Sequence, residues 1–210
     1  MAMTLGTTAS IPKLLLVTDR HATAGRDLVD VVERALDAGL PAVQLRDKDL
    51  PGGALFRLAE RVRAATARTG ALLFVNDRVD VARAVGADGV QLGAASLPVE
   101  AARALLGPTA LVGASVHTLE EVVSIPADFV IFGPVFDTPS KRAYGAPLGT
   151  VRLRDAVARA MVPVLAIGGV DASNVEAVRG TGVHGAAVIR AILAAKDPAA
   201  ATRALVAVMH

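Results

Sequence analysis

The sequence predicts a single-domain α/β protein folded as a (β/α)8 TIM barrel, and three observations lead to that fold class. Short apolar runs alternate with longer stretches of helical periodicity along the 210 residues. The runs are apolar almost throughout, which indicates strands buried on both faces of a parallel sheet. Eight such units in about 200 residues match the size of a compact (β/α)8 barrel. An open, doubly wound sheet is the rival arrangement, because the sequence does not show whether the sheet closes.

The predicted strands are short β-branched or apolar runs, as expected for buried parallel strands. They do not show the strict alternation of polar and apolar residues that a half-buried strand would have. In chain order the strands are predicted at Lys13–Thr18, Ala42–Arg46, Leu72–Asn76, Gly89–Leu92, Leu111–Val116, Phe129–Phe136, Val162–Ile167 and Gly185–Ile189.

Helices are predicted between these strands from the spacing of apolar residues. The segment Leu28–Leu36 and the segment Leu55–Val62 both carry apolar residues at three- and four-residue intervals, which places those residues on one face of a helix. Proline at positions 51, 98 and 198 marks helix starts, and glycine at 39, 70 and 107 marks helix ends. No change of composition marks a linker, so residues 1–12 are predicted to be a tail and 13–210 one barrel domain.

Composition excludes several classes of protein. Charged residues make up 20% of the chain and hydrophobic residues 53%, which excludes intrinsic disorder. A net charge of +2 without any block of like charge, together with 3% aromatic residues, argues against a nucleic-acid partner. The chain has no Cys and no apolar run of the roughly 20 residues that cross a bilayer. We therefore expect a cytoplasmic protein without a membrane partner, and the sequence leaves homo-oligomerisation open.

Polar side chains follow the second strand, at the end where a barrel carries its active site. Side chains alternate along a strand, so Gln44, Arg46 and Lys48 lie on one face and Leu45 on the other. Three hydrogen-bond donors at a barrel mouth suit a phosphate or pyrophosphate group. The simpler interpretation is a strand that ends in solvated charges.

The third and fifth strands also end in polar groups. Asn76 and Asp77 suit Mg2+ or a ligand hydroxyl, but they also suit a helix cap, and taken alone the pair favours the cap. Ser115 and His117 close the fifth strand just before a capping box, where the helix dipole disfavours imidazolium. His117 is therefore a candidate for proton transfer, or a structural histidine bonded to the backbone.

The last three strands end in segments that suit phosphate groups. Phe132–Lys141 opens a loop of about a dozen residues, a length that is often functional. Two hydroxyls and an ammonium group, from Thr138, Ser140 and Lys141, can collect pyrophosphate oxygens, although a plain surface loop is the alternative. Barrels also bind phosphates after their seventh and eighth strands, which here contribute Gly168, Gly169, Val188, Ile189 and Arg190.

Taken together, these segments resemble the thiamine phosphate synthase family, which includes the related thiazole tautomerases. The resemblance runs from Leu14 to Ile189, with motifs in matching order and spacing. The motifs are Gln44-Leu45-Arg46-x-Lys48, Asn76-Asp77-Arg78-Val79-Asp80, Phe132-Gly133-Pro134-Val135-Phe136, Thr138-x-Ser140-Lys141 and Ala166-Ile167-Gly168-Gly169.

The resemblance implies a (β/α)8 barrel that joins hydroxymethylpyrimidine pyrophosphate to thiazole phosphate and releases pyrophosphate. It implies that Arg46, Lys48, Lys141 and Asn76 contact the pyrophosphate, that Gln44 lies near the pyrimidine and that Asp77 binds Mg2+. Lys48, Lys141 and His117 are the catalytic candidates. The remaining substrate-binding candidates are Ser115 and the thiazole phosphate set Thr138, Ser140, Gly168, Gly169, Val188, Ile189 and Arg190.

The chain departs from the synthase pattern at three places. Gln91 stands where synthases usually have His, and Ser96 stands where they usually have an Asp that is a second Mg2+ ligand. Arg190 replaces a small residue, usually Ser. Loss of one carboxylate is expected to weaken Mg2+ binding, and Arg190 either supplies charge for a phosphate or obstructs the site.

These departures keep two other functions open. The tautomerase branch also lacks the second carboxylate, and its catalytic segment resembles Ser115-Val116-His117-Thr118. A metal-independent tautomerase would use His117 as acid and base. A barrel that binds thiamine intermediates without catalysis is the third hypothesis. Asp77, Lys48 and the Thr138–Lys141 motif favour the synthase.

Overall fold

The strands of the computed structural model, which describes residues 10–138 and 146–210, are all parallel and close into a barrel in chain order. β1 and β8 pair through Leu16 and Val188, so the sheet has no edge and the open-sheet alternative is wrong. The strands are β1 Leu14–Val17, β2 Ala42–Leu45, β3 Leu72–Asn76, β4 Gly89–Leu92, β5 Leu111–Val116, β6 Phe129–Phe132, β7 Val164–Ile167 and β8 Gly185–Val188.

The predicted strand limits hold to within two residues except at the sixth strand, which was extended too far. β6 ends at Phe132, and the chain continues through Gly133 and Pro134. Pro134 has no N–H for a strand ladder. The N–H groups of Val135 and Phe136 still bond to carbonyl groups at the end of β7, at 2.8 and 2.9 Å. The apolar run therefore follows β7 without continuing the regular strand.

Helices occupy the intervals between strands, as the periodicity predicts. Pro51 and Pro98 are the N-caps of the second and fourth helices, and Gly70 ends the second in the left-handed conformation. A short 3-10 helix, Arg20–Ala22, precedes the first. The helices are α1 Leu28–Asp37, α2 Gly52–Thr69, α3 Val79–Ala84, α4 Val99–Leu106, α5 Leu119–Ser124, α6 Gly149–Arg159, α7 Val175–Arg179, α8 Arg190–Leu193 and α9 Pro198–Met209.

The buried residues form an inner and an outer layer. The inner layer fills the barrel and includes Leu15, Phe74, Phe129 and Leu165, with the two phenylalanine rings edge to face at 5.4 Å. The outer layer packs the sheet against the helices. These side chains fill the barrel interior, so a ligand cannot bind inside it. Barrels of this kind bind their ligands at the carboxyl ends of the strands. Within the described residues, no helix is both long and apolar enough to cross a membrane.

Candidate active site

A cavity of about 710 Å³ opens at the carboxyl ends of the strands. Every predicted site residue that the structure describes lines it. Ser140 and Lys141 lie outside the described residues. The predicted residues at the cavity are Gln44, Arg46, Lys48, Asn76, Asp77, Ser115, His117, Thr138, Gly168, Gly169, Val188, Ile189 and Arg190.

Two cations enter the cavity from the segment that follows β2. Arg46 is half-buried there, and Lys48 is exposed at the cavity. The main chain at Arg46 is fixed by Thr18, whose hydroxyl accepts from the Arg46 N–H at 2.8 Å and donates to its carbonyl at 3.1 Å. Within the described part of the chain, neither Arg46 nor Lys48 has a side-chain hydrogen bond or an ion pair. Both charges are thus available to an anionic ligand.

A chain of hydrogen bonds holds the carboxylate of Asp77. Gln44 Nε2 donates to Asn76 Oδ1 at 2.9 Å, and Asn76 Nδ2 donates to Asp77 Oδ2 at 2.7 Å. Ser96 Oγ donates to Asp77 Oδ1, while the Gly93 N–H donates to Ser96 Oγ at 2.6 Å. Both carboxylate oxygens therefore accept a hydrogen bond, and each retains lone pairs for a further partner.

Gln44 also offers an acceptor that the protein does not use. The residue is 3% exposed, and within the described residues its Oε1 atom is buried without a hydrogen-bond partner. An unpaired buried amide oxygen costs free energy unless a ligand or water bonds to it. Gln44 is therefore suited to accept a hydrogen bond from an amino group of a ligand in this cavity.

The motif Asn76–Asp80 lies partly at the cavity and partly on the outer surface. Arg78 donates to both carboxylate oxygens of Asp80, at 2.9 and 2.5 Å. The hydrogen bond from Arg78 holds the pKa of Asp80 below its ordinary value, and the same bond raises the pKa of Arg78. Arg78 is thus ion-paired with Asp80. Of this motif, only Asn76 and Asp77 line the cavity.

The oxygen ligands around Asp77 suit a magnesium ion that is shared with a substrate. Among the described residues, no group of three His, Asp or Glu side chains is placed to hold a metal. In proteins Mg2+ is usually bound by one or two carboxylates, with the remaining ligands supplied by substrate phosphates and water. Asp77 and the Ser96 hydroxyl fit such a site only when a phosphate group completes it.

His117 presents one ring nitrogen as a base. Its Nδ1 lies 2.6 Å from the carbonyl oxygen of Gly133. A carbonyl can only accept, so Nδ1 carries the proton and Nε2 keeps its lone pair in the neutral ring. The main chain is fixed by Glu121, whose carboxylate accepts from the His117 N–H at 2.7 Å. Nearby, Ser115 Oγ accepts from Gln91 Nε2 at 3.1 Å, which leaves the Ser115 hydroxyl hydrogen for a ligand.

The opposite wall is formed by glycines after β7. Gly168 and Gly169 have φ angles of 101° and 64°, which L side chains rarely adopt. A Cβ atom at Gly168 would lie 2.6 Å from the Cα of Pro134. The bare backbone therefore lets the two loops meet closely beside the cavity. Arg190 begins α8 on the same wall and is exposed, without an ion pair in the part of the chain that the structure describes.

Two acidic residues at the cavity were missed. Asp137 and Asp171 follow the sixth and seventh strands. Asp171 Oδ1 accepts from the N–H and hydroxyl of Ser173, at 2.8 and 2.5 Å. Their position after a strand is the signal that could have identified them. Ser96 was singled out only as a departure from the family pattern, yet it contacts Asp77 directly.

Comparison with known proteins gives consistent matches. Residues 14–192 match the family described as thiamine monophosphate synthase. A thiamine-phosphate synthase of Roseiflexus castenholzii is 44% identical over 194 residues, which cover 90% of this chain and 85% of that one. The thiamine-phosphate synthase of Haloquadratum walsbyi is 42% identical over 195 residues, covering 90% and 87%.

A solved structure extends the likeness to three dimensions. The thiamine phosphate pyrophosphorylase from Pyrococcus furiosus superimposes with a TM-score of 0.86 at 39% sequence identity. The match covers 94% of this chain and 95% of that one. Orotidine 5'-phosphate decarboxylase from Pyrococcus horikoshii, at 16% identity and a TM-score of 0.65, shares the barrel fold alone.

Proposed function

The chain belongs to the thiamine monophosphate synthase family, and we propose that it is a thiamine phosphate synthase. It joins hydroxymethylpyrimidine pyrophosphate to thiazole phosphate and releases pyrophosphate. The observation that carries this proposal is the position of two cations at the same cavity as the carboxylate of Asp77. Neither of them, Arg46 or Lys48, has an ion pair within the described residues. That arrangement suits a pyrophosphate group better than a neutral ligand.

The chemistry needs a stabilised leaving group and no proton transfer. The bond between the pyrimidine methylene carbon and the pyrophosphate oxygen breaks, and both electrons leave with pyrophosphate. The ring nitrogen of the thiazole then donates its lone pair to the resulting pyrimidine cation, forming the new C–N bond. Arg46 and Lys48 bind the charge that develops on the leaving oxygens, and fixed charges of this kind are a large source of rate.

Asp77 would hold Mg2+ in this proposal, together with the pyrophosphate of the substrate. Bound there, the ion would neutralise part of the pyrophosphate charge and so favour its departure. Asn76 and Ser96 orient the carboxylate through the hydrogen bonds described above. By resemblance Lys141 adds a further cation to the pyrophosphate.

The two organic groups are assigned to opposite walls. Gln44 Oε1 accepts from an amino group of the pyrimidine, which would satisfy its unpaired buried oxygen, and Ser115 donates to a second ring atom. The thiazole phosphate lies against the glycine wall and the guanidinium of Arg190. Its ligands by resemblance are Thr138, Ser140, Gly168, Gly169, Val188 and Ile189. A cytoplasmic location stays a prediction, and homo-oligomerisation stays open.

Release of pyrophosphate from the purified protein tests the proposed function. We expect release only when both substrates are present, and we expect it to fall to background when either one is omitted. Tight binding of both phosphates without turnover would instead support a non-catalytic binding barrel. Release without the thiazole would indicate a hydrolase and would contradict the proposal.

Replacing Ser96 by Asp tests the magnesium site. The substitution adds a second carboxylate beside Asp77, and ligand charge tunes the affinity of such sites. We expect the Mg2+ concentration for half-maximal activity to fall about tenfold, with matching tighter binding of Mg2+ in calorimetry with pyrophosphate present. Ser96→Ala, which removes the hydrogen bond without adding charge, should raise the Mg2+ requirement. An unchanged requirement in Ser96→Asp would contradict the assignment of Asp77.

A second candidate, a metal-independent thiazole tautomerase, is favoured by two observations. His117 lines the cavity with its Nδ1 bonded to the Gly133 carbonyl, so that Nε2 is the basic nitrogen whenever the ring is neutral, and Ser96 stands where the family pattern has a second carboxylate. Such an isomerase would move a proton on a thiazole carboxylate phosphate, a step that His117 could carry.

Replacing His117 by Ala separates the two candidates. Since joining the substrates moves no proton, a synthase should keep its turnover within about tenfold, whereas loss of a general acid–base group costs about 10² to 10⁴ in rate. Assays of both reactions on the same preparation measure the two effects. A loss of more than about a hundredfold in pyrophosphate release would contradict a synthase mechanism without proton transfer.

A further inference from the structure

We propose that Arg20 is a positioning residue, which neutralises Asp47 and thereby keeps Arg46 and Lys48 available to the pyrophosphate group. This inference rests on the proposed function. Arg20 begins the short 3-10 helix after β1 and is not among the residues that line the cavity. It acts through its contact with the segment that follows β2.

The contact between Arg20 and Asp47 is a close pair on a buried carboxylate. Arg20 Nη1 donates to both oxygens of Asp47, each at 3.0 Å. The Asp47 side chain is only 3% exposed, whereas that of Arg20 is 33% exposed. A buried carboxylate without its partner is strongly unfavourable, so the charge of Asp47 requires a cation nearby.

Asp47 also shapes the segment that presents the cavity cations. Its Oδ1 accepts from the N–H groups of Asp49 and Leu50, at 3.1 and 3.2 Å. The turn after β2 therefore depends on a side chain with an acceptor at position 47. This acceptor lies in sequence directly between Arg46 and Lys48, the two residues whose charges face the ligand.

The same carboxylate would compete with a substrate if nothing neutralised it. A free negative charge on Asp47 would attract Arg46 or Lys48 and would repel pyrophosphate, most strongly where water is excluded. With Arg20 in place, Asp47 is paired, and neither cavity cation has an ion pair within the described residues. Asp47 can therefore accept the hydrogen bonds that shape the turn, while Arg20 neutralises its negative charge.

Binding of inorganic pyrophosphate, measured by calorimetry at low salt, tests the inference in four proteins. They are the wild type, Arg20→Gln, Asp47→Asn and the double variant, in which a Gln–Asn pair keeps hydrogen bonding without charge. We expect Arg20→Gln to bind at least about tenfold more weakly, because it leaves without its cation the carboxylate that lies between Arg46 and Lys48 in the sequence. The double variant should return to within about threefold of the wild type, because the buried carboxylate is gone and Asp49, whose Oδ2 lies 3.7 Å from Arg20 Nη2, is 65% exposed and therefore screened by water.

Controls separate this effect from loss of structure. Arg68→Gln removes an exposed arginine paired with Asp37 at 2.6 Å, at the other end of the barrel, and should bind like the wild type. Arg20→Lys keeps the charge and should retain affinity, and thermal unfolding checks that each variant is folded.

Each outcome has a distinct meaning. Wild-type affinity in Arg20→Gln, or a double variant as weak as Arg20→Gln, would overturn the inference while leaving the proposed function intact. Absence of pyrophosphate binding in the wild type would overturn the proposed function, and this inference with it.

Discussion

Replacing Arg46 by Ala is expected to lower kcat/KM for the pyrimidine pyrophosphate by about 10² to 10³, the usual cost of removing one donor from a stabilised leaving group. Arg46 is a half-buried cation of the cavity, and its main chain is fixed by Thr18 on β1's carboxyl side. The backbone that carries the guanidinium is therefore held before the substrate arrives, and less ordering is required on binding. Steady-state kinetics with the thiazole phosphate saturating measures the loss.

Two further variants show whether the loss reflects the guanidinium itself. Arg46→Lys keeps the charge but loses the forked donor geometry, so its loss should be intermediate. Arg34→Ala, on the exposed face of α1, should behave like the wild type. The assignment is wrong if Arg46→Ala retains wild-type kcat/KM, or if Arg34→Ala loses as much activity.

Replacing Gly133 by Ala is expected to destabilise the protein by about 3 kcal/mol, at the upper end of the cost of overpacking. A Cβ atom there would lie 2.1 Å from the carbonyl oxygen of Ile167. That oxygen accepts the N–H of Val135 at 2.8 Å, so it cannot retreat without breaking this bond between the β6 and β7 segments. Denaturant unfolding of the variant measures the loss.

The same substitution should also affect the cavity, because the Gly133 carbonyl is the acceptor for His117 Nδ1. Gly53→Ala is the matched control. A Cβ atom at Gly53 would meet only Arg57 Nη1, at 3.8 Å, and alanine is favoured over glycine in a helix. Gly53→Ala should therefore be neutral or slightly stabilising. Equal stability of the two variants would show that the contact with Ile167 is relieved at little cost.

The strands and the location of the cavity could be predicted because both follow from local rules. An apolar run between two helices is most simply a buried strand, and the polar residues that follow it fall at the mouth of a barrel. The position after a strand predicted Gln44 and Arg46 as site residues, whereas the metal role of Asp77 came from the family resemblance, since the residues alone favoured a helix cap. The end of β6 could not be read in the same way, because Val135 and Phe136 are as apolar as the strand residues.

Contacts between segments that are far apart in the chain could not be predicted from the sequence. The barrel closes because β1 pairs with β8. No local sequence pattern indicates this pairing. The pair of Arg20 and Asp47 joins two loops 27 residues apart, and it depends on how neighbouring strands twist. Ser96 likewise reaches Asp77 across 19 residues.

Conversion of the two substrates by the wild-type protein, with Mg2+ and with a chelator, shows directly whether the protein is a Mg2+-dependent synthase. Thiamine phosphate and pyrophosphate are quantified in the same reaction by chromatography. We expect equal amounts of both products with Mg2+ and a loss of turnover when Mg2+ is removed. Absence of thiamine phosphate at saturating Mg2+ would contradict the proposed function.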